Sequence, residues 1–159
     1  MIVTRLERHD RPSIEAIRAF SEDVDLVAEL DRSFSRIWIA RPAETLLPWG
    51  FLLAWFVADE VHIINVATHP EHRRAGVASA LLKTLIEIAR SDRSRLVLLE
   101  VRRTNRAAIA LYRAHGFRAM GVRRRYYADT DEDAIEMLLA IDPETGRVLP
   151  GRDQVLLEC

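Results

Sequence analysis

The chain has 159 residues, 49% of them apolar and 30% charged, with 23 basic and 24 acidic side chains and a net charge of −1. That length suits one domain with its own core, and that composition excludes wholesale disorder. A balance so near neutral also argues against a nucleic-acid binder, which is usually basic.

In chain order, residues 2–6 predict a short strand. Residues 12–20 predict a helix that Pro12 opens, with Ile14, Ala16 and Ile17 apolar. Residues 23–31 predict a second helix, from Val24, Val27 and Ala28 at helical steps and from Leu26 and Leu30 four apart. Residues 34–40 alternate as a strand, and 42–48 connect onward. Residues 50–58 are a strongly apolar strand, and Asp59-Glu60 turns it into a second, 61–68, as a hairpin. Ala78, Leu81, Leu82, Leu85, Ile88 and Ala89 recur at steps of three and four, which makes 75–90 the clearest helix. A strand at 95–101 follows, then a helix at 105–115 that Asn105 caps and Gly116 closes. Residues 117–127 predict a strand, 129–133 an acidic loop and 134–141 a last strand. From Pro143 onward the prolines and glycines read as a loose tail. The organisation is a mixed α/β (α+β) sheet in a single domain, 1–141, with a C-terminal tail, 142–159.

Net charge hides a segregation. Residues 71–125 hold fourteen basic and four acidic side chains, so this stretch could favour an anion. All of the cations but Lys83 are arginine, which genome composition explains first, although arginine also suits bidentate phosphate contacts. Cys159 is the only cysteine, so no disulfide forms within the chain, which fits a reducing compartment. Residues 1–11 lack the apolar core of a signal peptide, and the longest apolar run, 51–58, is too short to cross a bilayer. A cytoplasmic protein with no membrane and no nucleic acid as partner is expected.

The first chemical motif is the run Arg73, Arg74, Ala75, Gly76, Val77, Ala78 between a strand and the longest helix. Small residues there let a ligand approach the backbone, and free N–H groups at a helix start attract phosphate. A solvated basic helix start would carry the same residues. Neither GxxxxGK[ST] nor GxGxxG occurs, which disfavours nucleoside triphosphates and dinucleotides. Residues 65–82, NVATHPEHRRAGVASALL, resemble the acetyl-CoA-binding motif of the GNAT superfamily of N-acetyltransferases, with Arg73, Gly76 and Ala78 at the signature positions. The resemblance implies a mostly antiparallel twisted sheet, splayed at the cofactor site and flanked by about four helices. It implies acetyl-CoA as co-substrate, its pyrophosphate on 73–78 and its pantetheine arm along Val66, Ala67 and Thr68. Asn65 is implied beside the acceptor.

The second half is similar to the RimI-type subfamily, which acetylates the N-terminal alanine of a ribosomal protein. LEVRRTNRAAIALY at 99–112, His115-Gly116-Phe117, then RRRYY at 123–127 and DAIEM at 133–137 carry that similarity. Glu100 ends an otherwise apolar run, where it could be a drawn-in base or a strand-end charge facing water. Tyr112 lies two helical turns after Asn105 on one face, where an amphipathic core tyrosine is the plain alternative. The resemblance implies Glu100 as general base, Tyr112 as general acid to the leaving sulfur and Asn105 as both cap and cofactor contact. It places Arg102, Tyr126 and Tyr127 at the acceptor groove. With no cysteine but Cys159, direct attack by the amine in a ternary complex is simpler than an acyl-cysteine route. The acceptor implied is a protein N-terminus. A small amine, a lysine side chain or a non-catalytic acyl-CoA-binding module are the other readings. The subfamily's Pro-Trp is missing from 14–30, and Pro48-Trp49 comes later. His69 and His72 are three apart with Pro70 between, so no metal site is expected, and His62 and His115 carry no assigned role.

Overall fold

A computed structural model describes residues 1–155 of the chain. Cys159 and residues 156–158 of the tail lie outside the described residues. Among the described residues four α-helices and seven strands follow in the order expected, the strands being β1 (Ile2–Arg5), β2 (Ser35–Arg41), β3 (Gly50–Val57), β4 (Glu60–Thr68), β5 (Leu96–Arg102), β6 (Arg118–Tyr127) and β7 (Glu132–Ala140), hydrogen-bonded in the order β1-β2-β3-β4-β5-β7-β6. The pairs β1–β2, β2–β3, β5–β7 and β6–β7 run antiparallel, and β4 and β5 run parallel. The residues group into two compact units, Met1–Val57 with Ile63–Leu85, and Ala58–His62 with Ile86 onward.

The first unit holds β1 (Ile2–Arg5), α1 (Arg11–Arg18), α2 (Leu26–Asp31), β2 (Ser35–Arg41) and β3 (Gly50–Val57). It also takes the later part of β4 (Glu60–Thr68) and the start of α3 (Val77–Ser91). Asp10 caps α1 by accepting the Ser13 N–H at 3.2 Å, and Asp25 caps α2 from the Ala28 N–H at 3.1 Å. That cap shortens α2 relative to the expected 23–31, because Asp25 fixes the start and leaves Val24 before it. Leu6, Ile14, Ile17, Leu26, Ile37, Ile39, Phe51 and Leu53 form the core of this unit. Glu29, on α2, is a buried acid, and its carboxylate accepts from Ser35 Oγ, Trp55 Nε1 and Arg32 Nη1, each at 2.8 Å. Such full pairing is what a buried charge requires. Among the described residues no buried side-chain nitrogen or oxygen lacks a partner.

The second unit holds the first residues of β4, the end of α3, β5 (Leu96–Arg102), α4 (Arg106–Ala114), β6 (Arg118–Tyr127) and β7 (Glu132–Ala140). Strand β5 buries Val97, Leu99 and Val101 on one face and leaves Leu96, Leu98, Glu100 and Arg102 half-buried on the other. Glu60, Val61 and His62 pair in parallel with Leu96, Val97 and Leu98. Asn105 caps α4 by accepting the Ala108 N–H at 3.1 Å. After Ile141 the chain turns back. Val148 bridges Ile141, Leu149 N–H donates to Ala140, and Gln154 N–H donates to Ala119. Asp153 accepts the Ala119 N–H at 2.9 Å and pairs with Arg113, while Arg90 and Arg118 donate to the Gly146 and Gly151 carbonyls.

Candidate active site

The loop expected to bind an anion lies in the first unit, where β4 leads into α3. Asn65, Val66, Ala67 and Thr68 are half-buried on β4, and a short turn, Pro70–His72, follows. Arg74 then takes φ +62° and Gly76 φ +81°, so the helix cannot begin at Ala75 as expected and starts at Val77. A Cβ on Gly76 would meet nothing within 4 Å, so glycine serves the backbone angle there rather than space. Gly76 C=O accepts the Ala80 N–H at 3.0 Å and opens the ladder. The Val77 and Ala78 N–H groups therefore have no intrahelical partner, at the positive end of a fifteen-residue helix. Val77 is buried and anchors that end. Ala75 and the guanidinium groups of Arg73 and Arg74 are exposed, and among the described residues neither arginine has an ion-pair partner. Free donors and uncommitted cations at a helix start fit a pyrophosphate such as that of acetyl-CoA.

Two residues that the sequence reading passed over hold this loop. Gly50 begins β3 so close to β4 and α3 that a Cβ would stand 2.7 Å from the Ala67 carbonyl oxygen and 2.5 Å from Val77 Cγ1. The Trp49 carbonyl accepts the His69 N–H at 2.7 Å, and its indole stacks on His72 with centroids 3.8 Å apart. No metal site is expected here from the sequence; His69, Glu71 and His72 place one ligand atom each within 4.8 Å of one another. His69 Nδ1 accepts the Glu71 N–H at 3.0 Å, and Phe20 meets the His69 ring edge-on.

Glu100 and Tyr112, the residues expected to handle protons, lie in the second unit. Glu100, on the half-buried face of β5, accepts a hydrogen bond or gives one at 2.8 Å between its Oε2 and His62 Nε2. Tyr112 is buried on α4 with its ring edge-on to Phe117. Burial pushes its phenol up to about 12, with a smaller push from Tyr127. Such a group stays protonated through neutral pH and is a donor, not a base. Burial also raises the Tyr127 phenol, opposed by the Arg102 guanidinium 4.0 Å from its ring. Tyr126 is exposed, edge-on to Tyr127, with Arg123 over its ring at 5.4 Å. Asn105 is seen here as a helix cap.

The acidic loop is matched by arginines of its own unit. Arg102 grips Asp129 with both terminal nitrogens, at 3.1 and 2.9 Å, and holds that carboxyl below its usual range. The Arg125 N–H, with help from Arg103, does the same for Asp133. Asp131 lies 3.7 Å from Arg125. Arg102, expected at an acceptor groove, is thus committed to Asp129 and Tyr127. Glu136, opposite Glu100 in register, accepts from Arg123 Nε at 2.7 Å and was not singled out in the sequence. Its only sequence signal was its register in an otherwise apolar strand.

The profile of the Acetyltransferase (GNAT) family matches residues 3–117. The ribosomal protein bS18-alanine N-acetyltransferase of Escherichia coli K12 is 43% identical over 94 residues, covering 58% of this chain and 64% of that protein. The N-alpha-acetyltransferase RimI of Mycobacterium tuberculosis is 45% identical over 78 residues, covering 49% of this chain and 46% of that protein. The match thus spans less than two thirds of the length of either relative. The crystal structure of the ribosomal-protein-S18-alanine N-acetyltransferase from Escherichia coli superposes with a TM-score of 0.76 at 28% identity, over 98% of this chain and 97% of that one.

Proposed function

This chain belongs to the acetyltransferase (GNAT) family, and we propose that it transfers acetyl from acetyl-CoA to the N-terminal amine of a protein, an alanine of a ribosomal protein in the first instance. Both compact units serve one acetyltransferase domain in this reading, in the cytoplasm. The observation that carries it is the likeness, over 98% of the chain, to a ribosomal-protein-alanine N-acetyltransferase. Acetyl-CoA supplies the activated thioester. Arg73, Arg74 and the free N–H groups of Val77 and Ala78 bind its pyrophosphate, with Gly76 giving the turn. Asn65 to Thr68 offer strand backbone to its pantetheine arm. Glu100 takes the proton that the acceptor ammonium must lose before it can attack. Tyr112 donates its hydroxyl proton to the departing sulfur, which its burial suits by keeping the phenol protonated. With both proton carriers on one chain and no acyl-enzyme needed, the amine attacks the thioester directly. Tyr126 and Tyr127 line the acceptor side, with Arg102 holding Tyr127 from behind.

The test is incubation with acetyl-CoA and peptides that begin in alanine, serine or methionine, read by mass spectrometry. The expected result is a single acetyl gain on the α-amine, largest for alanine. No gain on any N-terminus, or gain confined to lysine side chains or small amines, would sink the reading.

A further inference from the structure

The carboxylate expected to act as base has a titratable neighbour on the adjacent strand. His62 pairs with Leu98 in the parallel register of β4 and β5, and Glu100 lies one pleat further along β5 on the same face. The side chains meet with His62 Nε2 2.8 Å from Glu100 Oε2. Glu100 is 15% exposed and His62 32%, so the histidine is the wetter of the two. On the other flank Glu136 of β7 stands directly opposite Glu100, a pairing of like charges that is unfavourable unless each finds a counter-group. Glu136 finds Arg123 of β6, at 2.7 Å, and Glu100 finds His62. The remaining charged groups nearby are committed: Glu60 to Arg95 at 2.7 Å on the β4 side, and Arg102 to Asp129 further along β5. Tyr127 of β6 faces Glu100 as a neutral phenol with a raised pKa.

We propose that His62 is a positioning and proton-relay residue that acts through Glu100. This rests on the acetyl-transfer reading and deepens it. The acceptor ammonium gives its proton to a Glu100 oxygen and keeps the N–H electron pair for attack. The new Glu100 O–H proton passes to the Nε2 lone pair of neutral His62, which restores the carboxylate. The imidazolium so formed releases its Nδ1 proton to water, and solvent exchange that moves the remaining proton from Nε2 to Nδ1 regenerates the starting tautomer, so each turnover delivers one net proton outward. Whenever Nε2 or the facing Glu100 oxygen carries the proton, the hydrogen bond also fixes that oxygen and leaves the other for the acceptor.

The experiment compares the full chain with His62→Gln, which keeps an N–H donor near Glu100 but cannot carry a proton, and with His62→Ala supplied with imidazoles of graded basicity. Wild type on an alanine peptide sets the reference. For His62→Gln the expected result is a kcat lower by about tenfold, an unchanged KM for acetyl-CoA, and loss of one ionisation from the kcat–pH profile. In His62→Ala, rescue should grow with the basicity of the added imidazole. A Gln variant with wild-type kcat and pH profile, or rescue indifferent to basicity, overturns the relay while leaving the acetyl-transfer reading intact. A wild-type chain that acetylates no amine overturns that reading and the relay with it.

Discussion

Two sets of arginines distinguish the two units. In the first, Arg73 and Arg74 stand exposed and, among the described residues, without a carboxylate partner, at the start of α3. In the second, Arg95, Arg102, Arg103, Arg113, Arg123 and Arg125 are each paired with an acid of the same unit. Those acids, from Glu60 to Asp153, all fall outside the basic stretch 71–125. The excess of positive charge in that stretch is therefore largely cancelled in space. Arg73 and Arg74 stand out among the cations without a carboxylate partner because they lie at the start of a helix. Exposed ion pairs contribute little to stability, so the second set mostly orders loops around the candidate chemistry. In the proposed reading the first unit holds the cofactor's charge and the second moves protons.

The sharpest way to break that division is Glu100→Gln, which removes the base and keeps the shape. A kcat loss of about 10³-fold with little change in KM for acetyl-CoA is expected from steady-state kinetics. A KM effect instead would make Glu100 a binding residue. Next comes Tyr112→Phe, with an expected kcat loss of about 10²-fold. It also carries a stability signature. The phenol titrates near 10 unfolded and near 12 folded, so between those values the unfolded chain loses its proton first and the native state weakens as pH rises. Unfolding by denaturant should show about 3 kcal/mol of wild-type stability disappearing over that window, and the Phe variant should lack this slope. In the first unit, Gly50→Ala forces a methyl against the Ala67 carbonyl and Val77. A loss of about 1–3 kcal/mol is expected in the same unfolding assay, with weaker acetyl-CoA binding because the start of α3 is displaced. The smallest effect belongs to Arg102→Ala. Its thermal midpoint should not move measurably, whereas KM for the peptide rises modestly as Tyr127 loses its support.

Much of this was legible beforehand because it rests on local rules. Apolar residues at helical spacing set α3, and Asn105 and Gly116 bracket α4, so these elements moved by only one or two residues. The loop 73–78, Glu100 and Tyr112 announced themselves by motif. What stayed hidden depends on register and close approach. His62 sits between two buried apolar neighbours, Val61 and Ile63, and reads as an incidental strand residue until β4 is laid beside β5. Glu136 becomes informative only opposite Glu100. Gly50 looks like an ordinary strand start, and only its distance to the Ala67 carbonyl shows that no side chain fits. Asp23 and Val24 looked helical by spacing, but the Asp25 cap two residues on decided the boundary.

The measurement that tests the division most directly compares acetyl-CoA with S-acetylpantetheine, which ends before the pyrophosphate, in wild type and in the double variant Arg73→Ala, Arg74→Ala. In wild type kcat/KM should favour acetyl-CoA strongly. In the double variant that preference should collapse by about 10- to 100-fold, while the rate with S-acetylpantetheine stays near the wild-type value. An undiminished preference for acetyl-CoA, or an equal loss with both donors, would contradict a phosphate-binding role for the loop.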